Sequence, residues 1–324
     1  MYKGSARAYT NIALIKYWGK KNEELILPMN NSLSLTLDAF YTETSVCFDP
    51  EQKEDRFFLD GQLQDSKATK KISHFLDLVR QLADKNWQAT VESRNFVPTA
   101  AGLASSASGL AALAAASNEA LTLGLDEQGL SRLARRGSGS ACRSIFPGFV
   151  EWEQGSDDET SFAKQIPSAN WEQDLAMLFV LINDQQKDVS SRDGMRRTVA
   201  TSSFYPGWLE SVPEDLAQAK IAIAAQNFTR LGEVTEANGL KMHATTLAAT
   251  PPFTYWSPDS LVAMNLVRQL RKEGLECYFT MDAGPNVKVL CQKKDEAALK
   301  AAFSQHFAPE RLILAHAGFG TQVL

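Results

Sequence analysis

The chain is poor in the residues that build disulfide frameworks and zinc sites. Its 324 residues include only four cysteines and four histidines. No two cysteines have the C-x-x-C spacing of metal or redox motifs, and the histidines are scattered along the chain. We therefore expect neither a disulfide-stabilised fold nor a zinc centre built from these side chains.

Excess positive charge and long apolar runs are also missing. The formal net charge is −5, whereas binding to a nucleic-acid backbone demands an excess of Lys and Arg, so nucleic acid is not an expected partner. The longest apolar run, residues 175–182, is far shorter than the ~20 residues of a membrane span and is typical of a buried strand. Residues 1–9 are mixed and polar, unlike a signal peptide. These features predict a cytoplasmic protein without a membrane partner.

Hydrophobic patterning predicts a mixed α+β fold. The second half is the more helical, with a helix that starts at Ser257-Pro258 and stops at Gly274. Because strands and helices mix without a strict βαβ rhythm, we expect two lobes, residues 1–185 and 186–324. The strand patterns cover residues 4–10, 34–37, 42–48, 91–97, 149–153, 276–281 and 287–292.

Short local signals predict where some elements begin and end. Asp60-Gly61 is typical of a hairpin turn. Asp126 is a good N-cap for a helix that Gly137 would end. Apolar residues at i, i+3, i+4 and i+7 from Ile72 predict a further helix with one buried face.

The most informative stretch is residues 98–109, PTAAGLASSASG, which runs into an alanine-rich helical pattern. The first N–H groups of a helix lack internal partners and carry partial positive charge, so a loop of small residues there suits a phosphate. The segment lacks the Gly-Lys-Ser/Thr ending of the common P-loop. The alternative is close helix packing through small residues, and the pattern alone leaves both open.

Four further segments combine basic, small and polar residues. Each by itself also fits a solvated turn or an amphipathic surface. Together they show an acidic chain that concentrates Lys and Arg beside Gly and Ser, with one aspartate at a predicted strand end. That combination favours a pocket for phosphorylated ligands, with the aspartate available as a base. The segments are residues 11–20, 135–143, 187–197 and 281–286.

The chain resembles the mevalonate diphosphate decarboxylases, which are members of the GHMP small-molecule kinase superfamily. The match extends over nearly the whole chain in the right order, and KYWGK and GSGSACR are its most specific parts. The resemblance implies an N-terminal lobe with a left-handed βαβ crossover, a ferredoxin-like C-terminal lobe and an active site between them. It rests on NIALIKYWGK (11–20), PMNNSLS (28–34), PTAAGLASSASG (98–109), GSGSACR (137–143) and DAGPN (282–286).

The resemblance also implies a reaction. ATP and mevalonate 5-diphosphate would give isopentenyl diphosphate, ADP, phosphate and CO₂, with Mg²⁺ bridging phosphate oxygens. A tertiary hydroxyl is a poor leaving group, so the enzyme would first phosphorylate it, and phosphoryl transfer depends mainly on positioning and charge neutralisation. Relatives are commonly homodimers, so the same state is expected here.

By resemblance, Asp282 is the base or orienter for the 3-hydroxyl, Lys16 keeps Asp282 ionised and steadies the transferred phosphate, and Arg143 grips the substrate carboxylate. The implied substrate-binding set is Asn11, Tyr17, Lys20, Ser138, Ser140, Arg143 and Arg192.

For the nucleotide, the resemblance places the ATP phosphates at the glycine-serine loop and makes Ser106 the Mg²⁺ contact. No clear acidic candidate for a second Mg²⁺ ligand is found. The implied nucleotide-binding set is Ser93, Asn95, Gly102, Ser105, Ser106, Ser108 and Lys187.

Two other functions remain open on the sequence. One is a plain kinase that phosphorylates mevalonate or a related alcohol without loss of CO₂. The other is a decayed superfamily member that binds a nucleotide or metabolite as a sensor. An intact set of Lys16, Ser106, Arg143 and Asp282 disfavours the sensor, since decay would be expected to remove at least one of them.

Overall fold

A computed structural model describes residues 1–96, 106–182 and 188–324, and it confirms the α+β class. No helix among these residues is long and apolar enough to cross a membrane. The helices are α1 (Ser66–Ala83), α2 (Ser106–Leu121), α3 (Glu127–Gly137), α4 (Ser191–Thr201), α5 (Tyr205–Ala224), α6 (Phe228–Leu247), α7 (Pro258–Lys272) and α8 (Glu296–Phe303).

The first sheet has eight strands in the order β14-β1-β4-β7-β5-β6, with β8 paired to β4 and β9 to β8; β2 and β3 form a separate small ribbon. Strands β5 and β7 are parallel and are joined through α1, which gives the predicted βαβ crossover in this lobe. The strands are β1 (Tyr2–Ile15), β2 (Lys20–Asn22), β3 (Leu27–Pro28), β4 (Ser32–Asp49), β5 (Arg56–Leu59), β6 (Gln62–Leu63), β7 (Gln88–Phe96), β8 (Phe149–Trp152), β9 (Ala163–Gln165) and β14 (Gln322–Val323).

Strand β1 is longer than the predicted segment 4–10, and the two predicted strands at 34–37 and 42–48 are one strand, β4. The last eight residues of β1 are all buried. A strand that is covered on both faces loses the alternating pattern, so alternation could not predict that β1 continues to Ile15. The extension carries the chain directly to Lys16.

The second sheet is antiparallel and has the order β11-β12-β10-β13. With α7 before β11 and α8 between β12 and β13, the chain follows the β-α-β-β-α-β path of a ferredoxin-like lobe. Helices α4, α5 and α6 also lie between β10 and β11. The polar segment 187–197 predicts a helix where α4 lies, whereas the sequence patterns did not locate α5 and α6. The strands are β10 (Leu175–Val180), β11 (Cys277–Met281), β12 (Val287–Gln292) and β13 (Leu312–His316).

The second sheet includes a strand that precedes the predicted lobe boundary at residue 185. Strand β10 pairs with β12 and β13, so residues 175–180 belong to the second sheet although they precede residue 185. Conversely, β14 near the C-terminus pairs with β1 in the first sheet. The physical reason is that a ferredoxin-like lobe needs β10 as its first, central strand.

Local turn and cap chemistry was predicted well. Asp126 accepts a hydrogen bond from the Gly129 N–H at 2.8 Å, and α3 ends at Gly137. Asp60 and Gly61 have φ of 50° and 78° at the β5–β6 turn. The Ser257 side chain caps α7 in a capping box.

The alanine-rich helix α2 is packed closely against the first sheet. A Cβ on Gly4 of β1 would lie 2.2 Å from the Ala116 carbonyl oxygen of α2. Small residues on both elements therefore allow the backbones to approach. The packing interpretation of this helix is confirmed, and it leaves the role of the preceding loop open because residues 97–105 lie outside the described part.

Candidate active site

A cleft of ≈ 1630 Å³ brings together residues from both sheets. Of the predicted set, Gly102, Ser105 and Lys187 lie outside the described residues. The others that line the cleft are Asn11, Lys16, Tyr17, Lys20, Ser93, Asn95, Ser106, Ser138, Ser140, Arg143, Arg192 and Asp282.

Asp282 lies where β11 ends, at the start of a turn closed by the Gly284 N–H donating to the Asp282 carbonyl at 2.8 Å. Its Oδ1 accepts from Lys16 Nζ at 2.8 Å, and its Oδ2 lies 3.1 Å from Lys288 Nζ. Burial alone would raise the pKa of Asp282, but the two ammonium groups outweigh it and hold the pKa far below its usual range. The carboxylate is therefore ionised and faces the cleft, with 40% of its side chain exposed.

Lys16 directly follows β1, and its side chain is only 2% exposed. Its ammonium group donates to the Ala13 carbonyl at 2.8 Å in addition to Asp282. Burial lowers the pKa of Lys16, and the Asp282 charge partly opposes this shift.

The backbone of Lys16 is fixed as firmly as its side chain. Its N–H donates to Asn238 Oδ1 at 2.8 Å, and its carbonyl accepts from Asn30 Nδ2 at 2.8 Å. Asn238 in turn donates to Asp215 Oδ2 at 2.9 Å. Helices α5 and α6, which sequence patterns did not locate, therefore hold the lysine in place.

Arg143 is a buried cation on a short 3₁₀ helix, Gly139–Ile145. Its Nη1 donates to Ser32 Oγ at 2.7 Å and its Nε to Asn11 Oδ1 at 3.2 Å. Within the described residues, no carboxylate lies within ion-pairing distance of this guanidinium. Burial lowers the pKa of Arg143. A buried cation without a counter-ion is stabilised when an anion binds beside it.

Asn11 was predicted to bind substrate, and the structure shows it bonded mainly to protein groups. Its amide donates to the Ser140 carbonyl at 3.0 Å and to Ser144 Oγ at 2.8 Å, and its oxygen accepts from Arg143. All of these bonds are to the 3₁₀ helix. Asn11 thus orients Arg143 while it lines the cleft.

Tyr17 and Lys20 extend the cleft along the loop after β1. The Tyr17 hydroxyl is buried and has no hydrogen-bond partner in the described part of the chain, and burial raises its pKa. Lys20 Nζ pairs with Glu23 at 2.7 Å. An unbonded buried hydroxyl next to cations is ready to donate to an anionic ligand.

The opposite end of the cleft contains the nucleotide candidates on β7 and α2. Ser93 Oγ lies 2.8 Å from Thr44 Oγ1, and Asn95 Oδ1 accepts from Thr42 Oγ1 at 3.0 Å. Ser106 is exposed in the first turn of α2. Residues missed by the sequence patterns also line this end, among them Phe57, Leu59, Lys70, Lys71, Ile72 and His74.

Ser108 is the one described member of the nucleotide set that does not line the cleft. Its hydroxyl lies 2.8 Å from Thr42 Oγ1 inside the core, and the residue is 0% exposed. This hydroxyl links α2 to β4, since residues two apart on a helix point to different faces, and a nucleotide contact by Ser108 stays a prediction.

Mg²⁺ fits this site only through phosphate. The Ser106 hydroxyl can supply one oxygen, while the part of the chain that is described offers no cluster of three or more acidic, His or Cys side chains. Mg²⁺ usually keeps several waters and is bound through a few protein oxygens together with substrate phosphates.

Two family models match adjacent parts of the chain. The diphosphomevalonate decarboxylase-like N-terminal domain matches residues 8–163, and the mevalonate 5-diphosphate decarboxylase C-terminal domain matches residues 177–318. The chain belongs to the mevalonate diphosphate decarboxylase family. The resemblance predicted from the motifs is thereby confirmed.

Family relatives match over most of their length. The diphosphomevalonate decarboxylase of Bos taurus is 38% identical and covers 94% of this chain and 80% of its own. The mevalonate diphosphate decarboxylase structure from Enterococcus faecalis is 66% identical, with a TM-score of 0.96, over 100% of this chain and 99% of its own. The mevalonate diphosphate decarboxylase structure from Staphylococcus aureus is 54% identical, with a TM-score of 0.98. The match covers 100% of this chain and 98% of the Staphylococcus aureus chain. A further structure is described as MDDEF in complex with MVAPP, AMPPCP and magnesium. It is 67% identical, with a TM-score of 0.97, and the match covers 100% of this chain and 99% of that structure's chain.

Proposed function

We propose that this chain catalyses the ATP-dependent decarboxylation of mevalonate 5-diphosphate to isopentenyl diphosphate, releasing ADP, phosphate and CO₂. The observation that carries the proposal is an ionised Asp282 between two buried ammonium groups. The same cleft contains the buried Arg143, which has no carboxylate within ion-pairing distance among the described residues. The family and the bound ligands of the related MDDEF structure support the same substrate, nucleotide and metal.

In the first step, Asp282 orients the 3-hydroxyl by accepting its hydrogen bond. The hydroxyl oxygen forms a bond to the γ-phosphorus of ATP as the bond to the β-phosphate oxygen breaks. The hydroxyl proton passes to an oxygen of the transferred phosphoryl group, and ADP leaves. Lys16, 2.8 Å from Asp282, is placed to neutralise charge on the transferred phosphoryl group. A carboxylate with so low a pKa is a weak base, so its main contribution is orientation and charge.

In the second step, the C3–O bond breaks and phosphate leaves with the electron pair. The bond between C2 and the carboxyl carbon then supplies the electrons of the new C2–C3 double bond, and CO₂ departs. Arg143 holds the carboxylate in line for this cleavage, and its fixed contacts to Asn11 and Ser32 give the guanidinium one orientation.

The substrate diphosphate lies, in this proposal, at the end of the cleft formed by the loop after β1 and the first turn of α4. The donors there share a phosphate-binding chemistry of ammonium, guanidinium and hydroxyl groups. They are Tyr17, Lys20, Ser138, Ser140 and Arg192.

ATP would occupy the α1–α2 end of the cleft, next to Ser93, Asn95 and Ser106. When bound, Mg²⁺ would neutralise charge on the phosphate oxygens, with Ser106 as the described protein ligand. Lys187, Gly102 and Ser105 remain part of the proposed nucleotide set on the strength of the family resemblance alone.

The family resemblance also supports a cytoplasmic homodimer. Sedimentation velocity of the purified chain tests the assembly: a species of twice the chain mass of 35.7 kDa is expected. A sample that remains at the mass of one chain over a wide concentration range would refute the dimer.

Product analysis with mevalonate 5-diphosphate, ATP and Mg²⁺ tests the reaction. We expect CO₂, inorganic phosphate and ADP in equal amounts. A phosphorylated acid that accumulates without CO₂ would identify a plain kinase, and nucleotide binding without turnover would identify a sensor.

A further inference from the structure

A second buried lysine contacts Asp282, and no sequence motif indicated it. Lys288 lies in β12, between Val287 and Val289, and its side chain is 4% exposed. Its Nζ is 3.1 Å from Asp282 Oδ2 and donates to the Asn286 carbonyl at 3.3 Å. The ammonium group thus lines the cleft on the side of Asp282 opposite to Lys16.

A lysine at this position is costly for the fold. Strand β12 is central in the second sheet, paired to both β10 and β11, and its first five residues are all buried. A buried ammonium group loses its hydration and is tolerated only when it is paired. An aliphatic residue would satisfy the sheet better, so the lysine serves something other than packing.

The charges around Asp282 are unbalanced. Within the described residues, Lys16 and Lys288 have no carboxylate other than Asp282 within ion-pairing distance. Each carboxylate oxygen is therefore held by a separate ammonium group. Rotation of the carboxylate is restrained from both sides, and one counter-charge stays in place whenever the other lysine engages a phosphate.

We propose that Lys288 is a positioning residue for phosphoryl transfer: it holds Asp282 Oδ2 so that the carboxylate keeps its orientation toward the 3-hydroxyl after Lys16 turns to the transferred phosphate. The inference rests on the proposed decarboxylase function. Lys288 acts through Asp282, so its loss should damage turnover much more than substrate binding.

Lys288→Met, which keeps the length of the side chain and removes the charge, tests this role. A misplaced reacting group costs about 100-fold in rate, so we expect kcat to fall by about that factor. The dissociation constant for mevalonate 5-diphosphate, measured by calorimetry, should stay within about twofold. Lys288→Arg should recover part of the lost kcat. Lys164→Met is the matched control, because Lys164 pairs with Glu153 at the surface away from the cleft, and it should retain the parent kcat.

Thermal unfolding separates positioning from support of the fold. Removal of one of two ammonium groups that share a single carboxylate should leave Tm unchanged or higher. A fall in Tm together with activity, without rescue by Lys288→Arg, would overturn the proposal in favour of a structural role. Lys288→Gln is measured in parallel, with the same expectations, in case the methionine variant does not fold.

A double-mutant cycle with Asp282→Asn tests the path of action. If Lys288 works through Asp282, the double variant Lys288→Met/Asp282→Asn should be no slower than Asp282→Asn alone. Additive losses, or parent-like kcat in Lys288→Met, would overturn the proposal. Failure of the parent enzyme to release CO₂ would refute the proposed function. That outcome is distinguishable from failure of this inference, which depends on the kcat of each variant relative to the parent.

Discussion

Arg143 shows how a single side chain in this cleft is prepared for its ligand. Its guanidinium is buried, its orientation is fixed by Asn11 and Ser32, and the described residues offer it no carboxylate. A buried cation without a counter-ion is unfavourable, so an anionic ligand completes the site. A planar guanidinium can bind a carboxylate through two parallel hydrogen bonds, which a lysine cannot do.

Arg143→Lys should therefore lower kcat/KM even though the charge is kept. Loss of one hydrogen bond to a charged group is worth about 2 kcal/mol, or roughly 30-fold. Steady-state kinetics with mevalonate 5-diphosphate measure the change. Arg132→Lys is the control, because Arg132 contacts Asp158 outside the cleft. If Arg143→Lys and Arg132→Lys both have the kcat/KM of the parent, Arg143 does not hold the substrate carboxylate.

The residues of the proposed site were predictable where they occur in specific motifs. Lys16, Arg143 and Asp282 were identified in this way, and the structure brings all three to one cleft. Lys288 was missed because a single lysine in an apolar strand has no motif of its own. The nucleotide contact of Ser108 stays a prediction, because its hydroxyl lies beside Thr42 while residues 97–105 are outside the described part of the chain.

Helix α4 illustrates how an element delivers a side chain to the cleft. Its first turn contains Arg192, which lines the cleft, and the Ser190 side chain caps it by accepting from the Asp193 N–H at 3.1 Å. An N-cap satisfies one of the free N–H groups of the first turn. The position of Arg192 therefore depends on that cap.

Ser190→Ala should destabilise α4 by about 1 kcal/mol and raise the KM for mevalonate 5-diphosphate severalfold with little change in kcat. Ser257→Ala is the matched control, because it removes the cap of α7, which does not line the cleft. It should cost similar stability, measured by urea unfolding, and leave KM unchanged. If Ser190→Ala has the same KM as Ser257→Ala, the capped first turn of α4 does not position a side chain that binds the substrate.

At the level of elements, local chemistry was a better guide than periodicity. The caps Asp126 and Ser257 and the Asp60-Gly61 turn were predicted because each depends on a few adjacent residues. Helices α5 and α6 and the end of β1 were not located. Their boundaries are set by tertiary packing, as in the fully buried second half of β1.

The whole molecule is needed to assemble the centre of the site. Lys16 and Asp282 are 266 residues apart in sequence and come from different sheets, and Asn238 of α6 fixes the lysine backbone. Strand β10 likewise precedes the predicted boundary at residue 185 and pairs with two strands that follow it. Pairing between distant strands is not encoded locally.

The stability of the whole chain should depend on a buried histidine beside this centre. His243 is 2% exposed, and its Nε2 lies 3.3 Å from the Met281 carbonyl. Burial and the nearby Lys16 charge lower its pKa from 6.5 to about 4. Between these two values the unfolded chain binds a proton that the folded chain does not, so stability falls as the pH falls through this window.

The expected loss between pH 7 and pH 4 from His243 is about 3 kcal/mol. It is measured as the free energy of unfolding in urea, in the parent and in His243→Gln. Other titrating groups, including Asp282, affect both proteins alike, so the difference in pH dependence isolates the histidine. Identical pH dependence in the two proteins would show that His243 titrates normally in the folded state.

The most direct test of the account is a single-turnover experiment on Asp282→Asn with carboxyl-labelled mevalonate 5-diphosphate. ADP and labelled CO₂ are followed together, with substrate binding measured on the same variant. We predict that the variant binds substrate nearly as well as the parent but forms both products at least about 100-fold more slowly, as expected when a positioned catalytic group is lost. ADP and CO₂ formed at the parent rate would contradict the central role of Asp282.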